Sequence, residues 1–195
     1  MSQSKNFYYR AFGLHWQSNL ALDQFAPDPA GCVNPDIEVF SALGAAPCRQ
    51  EVSRWNNSRI YADGFRFQAD GAAIFDYVAP NRLDLFQGEA GHAAIWPYFY
   101  GTVTAAIAAY HGGLPFHGTA MESDGAAVLL CGSGGAGKSS TAAALVARGF
   151  RLISDDLCVF RLNSCGLPVV SAGRTDIRLV PAAAKLLQDA LTLSP

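Results

Sequence analysis

Charge is scarce in this sequence. Asp, Glu, Lys and Arg together supply 15% of its 195 residues, against roughly a quarter in an average soluble domain, and the formal net charge is only −2. With no basic field and no cluster of Lys and Arg, nothing here would hold a nucleic-acid backbone or an acidic membrane surface. Neither is expected as a partner. A surface this poor in charge points instead to a missing partner, a homo-oligomer included, or to missing chain.

Long apolar runs are absent too. None approaches the roughly 18 residues needed to cross a bilayer, and the opening Met1-Ser2-Gln3-Ser4-Lys5-Asn6 lacks the apolar core of a signal peptide. A soluble cytoplasmic protein is expected. The cysteines Cys32, Cys48, Cys131, Cys158 and Cys165 contain no C-x-x-C pair, and an odd number cannot complete a disulfide framework. They are expected as buried thiols rather than zinc ligands. The four histidines are widely spaced and give no metal signature, and no internal repeat is present.

Glycine is concentrated at one place. An apolar run, Ala126 to Cys131, leads into Gly132-Ser133-Gly134-Gly135-Ala136-Gly137-Lys138-Ser139, which satisfies G-x-x-x-x-G-K-[ST] at every fixed position. An alanine-rich helix follows to Arg148, with Gly149 as its stop. In that motif successive backbone N–H groups and a helix N-terminus face a phosphate. The candidate nucleotide contacts are therefore Gly132 to Ser139 together with Ser140. Lys138 would bridge the terminal phosphates, and the Ser139 hydroxyl would ligate Mg²⁺.

The same glycines carry a second fingerprint. Gly132, Gly134 and Gly137 also fit G-x-G-x-x-G, with Asp155 or Asp156 near the spacing at which an acid holds a ribose in dinucleotide-binding folds. Lys138-Ser139 favours a nucleoside triphosphate with Mg²⁺, because a dinucleotide fold has no need of that pair. A dinucleotide-dependent oxidoreductase stays as an alternative, as does a nucleotide-binding regulatory module without transfer activity.

Two further elements converge on the loop. Phe150 to Ser154 reads as the next strand, which puts Asp155-Asp156 at its carboxyl end, where open α/β sheets handle ligands. One carboxylate could hold the metal while the other accepts a proton from an attacking hydroxyl; adjacent side chains on a strand point opposite ways and should not share a task. Upstream, Phe116 to Glu122 and Ala126 to Cys131 are strand-like and joined by Ser123-Asp124-Gly125. A tight Asp124-Gly125 turn pairs Ser123 with Ala126 and, counting back, sets His117 opposite Gly132 at the loop's mouth.

The remaining chain organises around these. Phe7 to Gln17 alternates as one half-buried strand, Ser18 could cap a short helix carrying Leu20, Leu22 and Phe25, and Ile37 to Phe40 is a further strand. Arg59 to Val78 reads as an antiparallel meander with turns at Asp63-Gly64 and Asp70-Gly71, Phe65 and Phe67 being core. Ala94 to Tyr110 has helical period and ends at Gly112-Gly113. Pro181 begins a last helical stretch. The expected organisation is a small α+β module over residues 1–111 and a kinase-like α/β domain over 112–195.

At His117-Gly118-Thr119-Ala120, Gly132 to Ser139 and Arg148-Gly149-Phe150-Arg151-Leu152-Ile153-Ser154-Asp155-Asp156, the chain resembles the catalytic domain of the HPr kinase/phosphorylase family. It is most similar to the HPr-kinase-like serine kinases of lasso-peptide biosynthesis. The resemblance implies a P-loop fold akin to phosphoenolpyruvate carboxykinases, ATP and Mg²⁺ as cofactors, and a serine of a peptide or small protein as acceptor. By position it implies Asp155 as the base, Asp156 and Ser139 near the metal, and His117 in support of the base. The family's later signature region, with its acid and basic residues, has no clear counterpart; Arg174, Asp176 and Arg178 are the candidates. Such kinases are expected to continue well past residue 195, so an incomplete catalytic domain is expected.

Overall fold

A computed structural model describes residues 6–174, 176, 177 and 184. Arg178 and the helix expected from Pro181 lie outside the described residues. The chain divides into two compact units, Met1–Ile107 and Ala108–Pro195.

The first unit is built on a nine-stranded sheet. Its strands are β1 (Phe7–Ala11), β2 (Leu14–Ser18), β3 (Ala26–Pro27), β4 (Ile37–Ala42), β5 (Ser53–Trp55), β6 (Ser58–Tyr61), β7 (Gly64–Ala69), β8 (Ala73–Val78) and β9 (Arg82–Gln87). They lie in the order β3-β1-β2-β4-β9-β8-β7-β6-β5. Pairing is antiparallel except where β4 runs parallel to β2 and to β9.

The single strand expected over Phe7 to Gln17 is a hairpin. Ala11 pairs with Leu14, and the two residues between them both take positive φ, 57° at Phe12 and 71° at Gly13. That is the turn whose twist suits a two-residue hairpin. Phe12 is an unusual residue for it, and its ring is fully buried, 5.9 Å from that of Phe25. Burial holds a backbone that propensity alone would not choose. The helix expected after Ser18 is absent: Ser18 Oγ accepts the Leu20 N–H at 3.0 Å, and the Tyr9 hydroxyl accepts that of Leu22 at 3.0 Å. These partners satisfy the backbone without a helix.

The meander forms as β6, β7 and β8, with its first turn one residue earlier than expected. Ala62 and Asp63 make the loop, and Gly64 already belongs to β7, paired with Tyr61 and Val78. The helical stretch runs from His92 to Tyr110. It holds α1 (Trp96–Tyr98), a π segment (Phe99–Val103) around Gly101 and α2 (Thr104–Tyr110). Within the widened turn, Thr104 Oγ1 donates to the Phe99 carbonyl at 2.7 Å. Ile95, Phe99, Val103 and Ile107 are fully buried. The Phe99 ring lies 6.3 Å from Trp16, 5.9 Å from Phe25 and 6.4 Å from Phe75, each such pair adding about 0.5–1.5 kcal/mol beyond area burial. No helix among the described residues is long and apolar enough to cross a membrane.

The second unit is mixed α/β and mostly sheet. Gly112, at φ 74°, stops α2, and the Gly113 N–H donates to the Ala108 carbonyl at 2.8 Å. Two three-stranded sheets follow. One has the order β10 (Leu114–His117), β14 (Leu157–Leu162), β15 (Pro168–Ser171); the other β12 (Ala126–Leu130), β11 (Thr119–Ser123), β13 (Arg151–Ser154). A single helix, α3 (Lys138–Val146), links β12 to β13.

The expected strand Phe116 to Glu122 is thus broken at Gly118, and its halves lie in different sheets. The register expected for the hairpin holds from Ser123–Ala126 to Thr119–Leu130, but His117 pairs with Leu157 on β14, not with Gly132. The break leaves no room for a side chain: a Cβ on Gly118 would stand 2.9 Å from the Leu130 carbonyl oxygen. Gly118→Ala is therefore expected to lower stability by about 1–3 kcal/mol, read as a fall in the urea midpoint.

Candidate active site

β11 is antiparallel to both its neighbours, so β12 and β13 run parallel on either side of it. Their carboxyl ends consequently emerge together, beside the amino end of β11. From β12 comes the glycine-rich loop, from β13 the pair Asp155-Asp156, and from the start of β11 comes Thr119. Next to them, at the end of β10, is His117.

The loop enters α3 through Gly137, at φ 87°, a left-handed backbone that side chains rarely adopt. No side-chain cap covers the amino end of this nine-residue helix, so its first N–H groups face outward from a positive helix end. Cβ atoms at Gly134, Gly135 or Gly137 would meet nothing within 4 Å; the backbone there is open to approach. Lys138 Nζ donates to the carbonyls of Gly132 at 2.9 Å and Ser133 at 3.1 Å, folding its ammonium over the loop.

The two aspartates have different surroundings. Asp155 is 2% exposed. Its Oδ1 accepts from the Thr119 hydroxyl at 2.5 Å, and the Ser139 hydroxyl lies 3.4 Å from both carboxylate oxygens. Asp156 has its side chain half exposed and its backbone at φ 71°. Oδ1 lies 3.2 Å from His117 Nδ1, and Oδ2 accepts from Arg174 Nη1 at 3.0 Å. His117 Nδ1 is also 3.0 Å from the Asp156 carbonyl oxygen, which accepts the Gly118 N–H at 3.2 Å.

The structure therefore brings together His117, Lys138, Ser139, Asp155 and Asp156, but pairs them differently from expectation. Ser139 meets Asp155 rather than Asp156, and His117 meets Asp156 rather than Asp155. The cause is the sheet-to-sheet step at Gly118. It moves His117 off the β11 ladder and onto the side where Asp156 turns out.

Thr119 was not singled out by the sequence. Its signal lies in the long-range register, since the ladder that pairs His117 with Leu157 and Ala120 with Ser154 brings Thr119 to Asp155. Thr119→Val would leave a buried carboxylate oxygen without this donor, and is expected to cost about 1–3 kcal/mol in urea unfolding.

Behind the site, the buried Cys158 Sγ lies 3.3 Å from the Gly118 carbonyl, and burial pushes its thiol up to about 12. Native protein treated with iodoacetamide at pH 8 should be labelled at the exposed Cys48, Cys131 and Cys165 and spared at Cys158, which becomes reactive on unfolding. Mass spectrometry of the digest reads this out.

Among the described residues, no group of three or more His, Cys, Asp or Glu side chains is placed to hold a metal by itself. One serine hydroxyl beside a carboxylate is a hard oxygen set of the kind that holds Mg²⁺ jointly with phosphate oxygens. The donors present fit such an ion.

Comparison with known proteins agrees with this segment of the chain. Residues 112–168 match the HPr Serine kinase C-terminal domain. An HPr kinase/phosphorylase of Geobacillus sp. is 45% identical over 56 residues, which cover 29% of this chain and 18% of that protein. The HPr kinase/phosphorylase of Lactobacillus acidophilus is 58% identical over 40 residues, 20% of this chain and 12% of that protein. The chain thus spans less than a fifth of the length of either relative. No solved structure is significantly similar to it. The loop, His117 and both aspartates all fall inside the matched stretch, so the similarity to the HPr kinase family, over residues 112–168, takes in every one of these site residues.

Proposed function

We propose that residues 112–195 form a P-loop kinase domain that transfers the γ-phosphoryl group of ATP, with Mg²⁺, to a serine hydroxyl of a peptide or small protein in the cytoplasm. Residues 1–111 form an accessory module in this reading. Its main support is the open Gly132–Ser139 loop at the start of α3, with Ser139 Oγ 3.4 Å from both oxygens of Asp155. A phosphate loop, a hydroxyl and an acid in that order are the parts that phosphoryl transfer requires, since charge neutralisation and alignment carry most of the catalysis. The names of the relatives make HPr or an HPr-like protein the first acceptor to try; the resemblance to the serine kinases of lasso-peptide biosynthesis makes a precursor peptide the second.

Mg²⁺, when bound, would neutralise charge on the phosphates and hold them in line. Ser139 and Asp155 are the residues we assign to it. Lys138 would release the two loop carbonyls and turn to the terminal phosphates. Asp156, exposed and held by His117 and Arg174, is the better-placed base: it takes the proton of the serine hydroxyl while that oxygen bonds the γ-phosphorus, and ADP departs with the electron pair of the broken P–O bond. These roles exchange the two aspartates relative to what family resemblance implies, because a base has to reach an incoming hydroxyl and Asp155 is buried.

The antiparallel strand β11 between β12 and β13 counts against a dinucleotide fold, in which the strands joined by the first crossover are neighbours. The deciding measurement is ATP binding to the full chain with and without Mg²⁺, with NAD(H) as competitor, followed by mass spectrometry of HPr and serine peptides incubated with ATP. Mg²⁺-dependent binding and a phosphoserine product support the kinase. Displacement by NAD(H), indifferent to Mg²⁺, would overturn it.

A further inference from the structure

Arg174 follows β15 and is almost entirely buried, its side chain 2% exposed. Burying a guanidinium is costly unless its donors are used, and this one has five in a rigid fork. Here it makes a single side-chain hydrogen bond, Nη1 to Asp156 Oδ2 at 3.0 Å, while Nε lies 3.8 Å from Asp176 Oδ1. Neither Nε nor Nη2 has a hydrogen-bond partner among the described residues. Its backbone is held firmly, with the Arg174 N–H on Ser154 Oγ at 3.2 Å and the Gly173 N–H on the Ile153 carbonyl at 3.0 Å. Among the described residues, then, a buried cation with unspent donors stands against the exposed carboxylate of Asp156.

A role confined to orienting Asp156 would leave those donors unexplained. Nη2 shares its carbon with Nη1, the nitrogen that holds Asp156. We propose that Arg174 is a ligand of the transferred phosphoryl group, giving Nη2 to a γ-phosphoryl oxygen while Nη1 keeps Asp156 in place. This rests on the kinase reading above and adds to it a residue that senses the third phosphate. One guanidinium then serves both reacting partners. As Asp156 becomes neutral by taking the hydroxyl proton, the positive charge of Arg174 is left to the phosphoryl oxygens, whose negative charge is on the move.

The test is calorimetric and needs no turnover. Wild type, Arg174→Gln and Arg174→Lys are titrated with ATP and with ADP in excess Mg²⁺. A charge-assisted hydrogen bond to the γ-phosphoryl group should make wild type prefer ATP over ADP by roughly 10- to 100-fold. In Arg174→Gln that preference should fall at least tenfold while ADP affinity stays within about threefold. Arg174→Lys, which keeps the charge but loses the fork, should fall between them. An unchanged preference in Arg174→Gln, or equal ATP and ADP affinity in wild type, overturns the assignment while leaving nucleotide binding intact. If the Gln variant does not fold, an undiminished preference in Arg174→Lys overturns it equally. Wild type that binds neither nucleotide would instead remove the kinase reading itself, and Lys138→Ala should weaken both nucleotides together.

Discussion

Asp156→Asn should bind Mg²⁺-ATP as tightly as wild type and lose transfer to serine by roughly 10²- to 10⁴-fold, the usual reach of a general base. Asparagine keeps the shape and still accepts from Arg174 Nη1, which in this structure donates at 3.0 Å; what it cannot do is take a proton. Asp155→Asn should behave differently. Its carboxylate lies against Ser139 and Thr119, so the change should raise the Mg²⁺ concentration needed for ATP binding. Single-turnover transfer measured beside Mg²⁺ titrations separates the two. If Asp155→Asn were the variant with intact Mg²⁺ dependence and lost transfer, the roles would have to be exchanged back.

Lys138→Ala should weaken ATP by about 10²-fold, corresponding to about 3 kcal/mol for the loss of two charge-assisted contacts to terminal phosphates. The lysine also donates to Gly132 and Ser133 within the loop, but these groups are exposed, and exposed contacts contribute little to folding. The melting temperature without nucleotide should therefore barely move, while the stabilisation by added ATP should largely disappear. A thermal-shift titration of both proteins reads the two effects together. Equal shifts for wild type and variant would exclude Lys138 as a phosphate ligand.

The local order of strand, loop and helix around Gly132 to Ser139 was legible in the sequence because it depends on neighbours in the chain. So was the tight Asp124-Gly125 turn, where φ is 53° and 77°, and with it the whole β11–β12 register. What was hidden depends on residues far apart. Nothing near His117 announces that Gly118 shifts the chain between sheets; that rests on the pairing of His117 with Leu157, far along the chain. Thr119 is an ordinary residue in an ordinary context until β13 arrives beside it, and Arg174, though a candidate from the sequence, shows its partner Asp156 only in the fold. In the first unit, Phe12 in a left-handed turn is legible only from the cluster that buries its ring, because its own preference points the other way.

The step at Gly118 has a counterpart opposite it. β10, Gly118 and β11 run antiparallel to β13, Asp155-Asp156 and β14, and the two steps are tied by the Gly118 N–H on the Asp156 carbonyl at 3.2 Å. The partners in this bent ladder are 29 to 46 residues apart, with the loop and α3 enclosed between them. Such long closures form late. A chain emerging from the ribosome therefore carries its lysine and glycines well before its acids are in place. The site is whole only when β13 has docked on β11 and β14 on β10, so the strand-loop-helix half that faces phosphate is local in the chain while the half that could act on it is not.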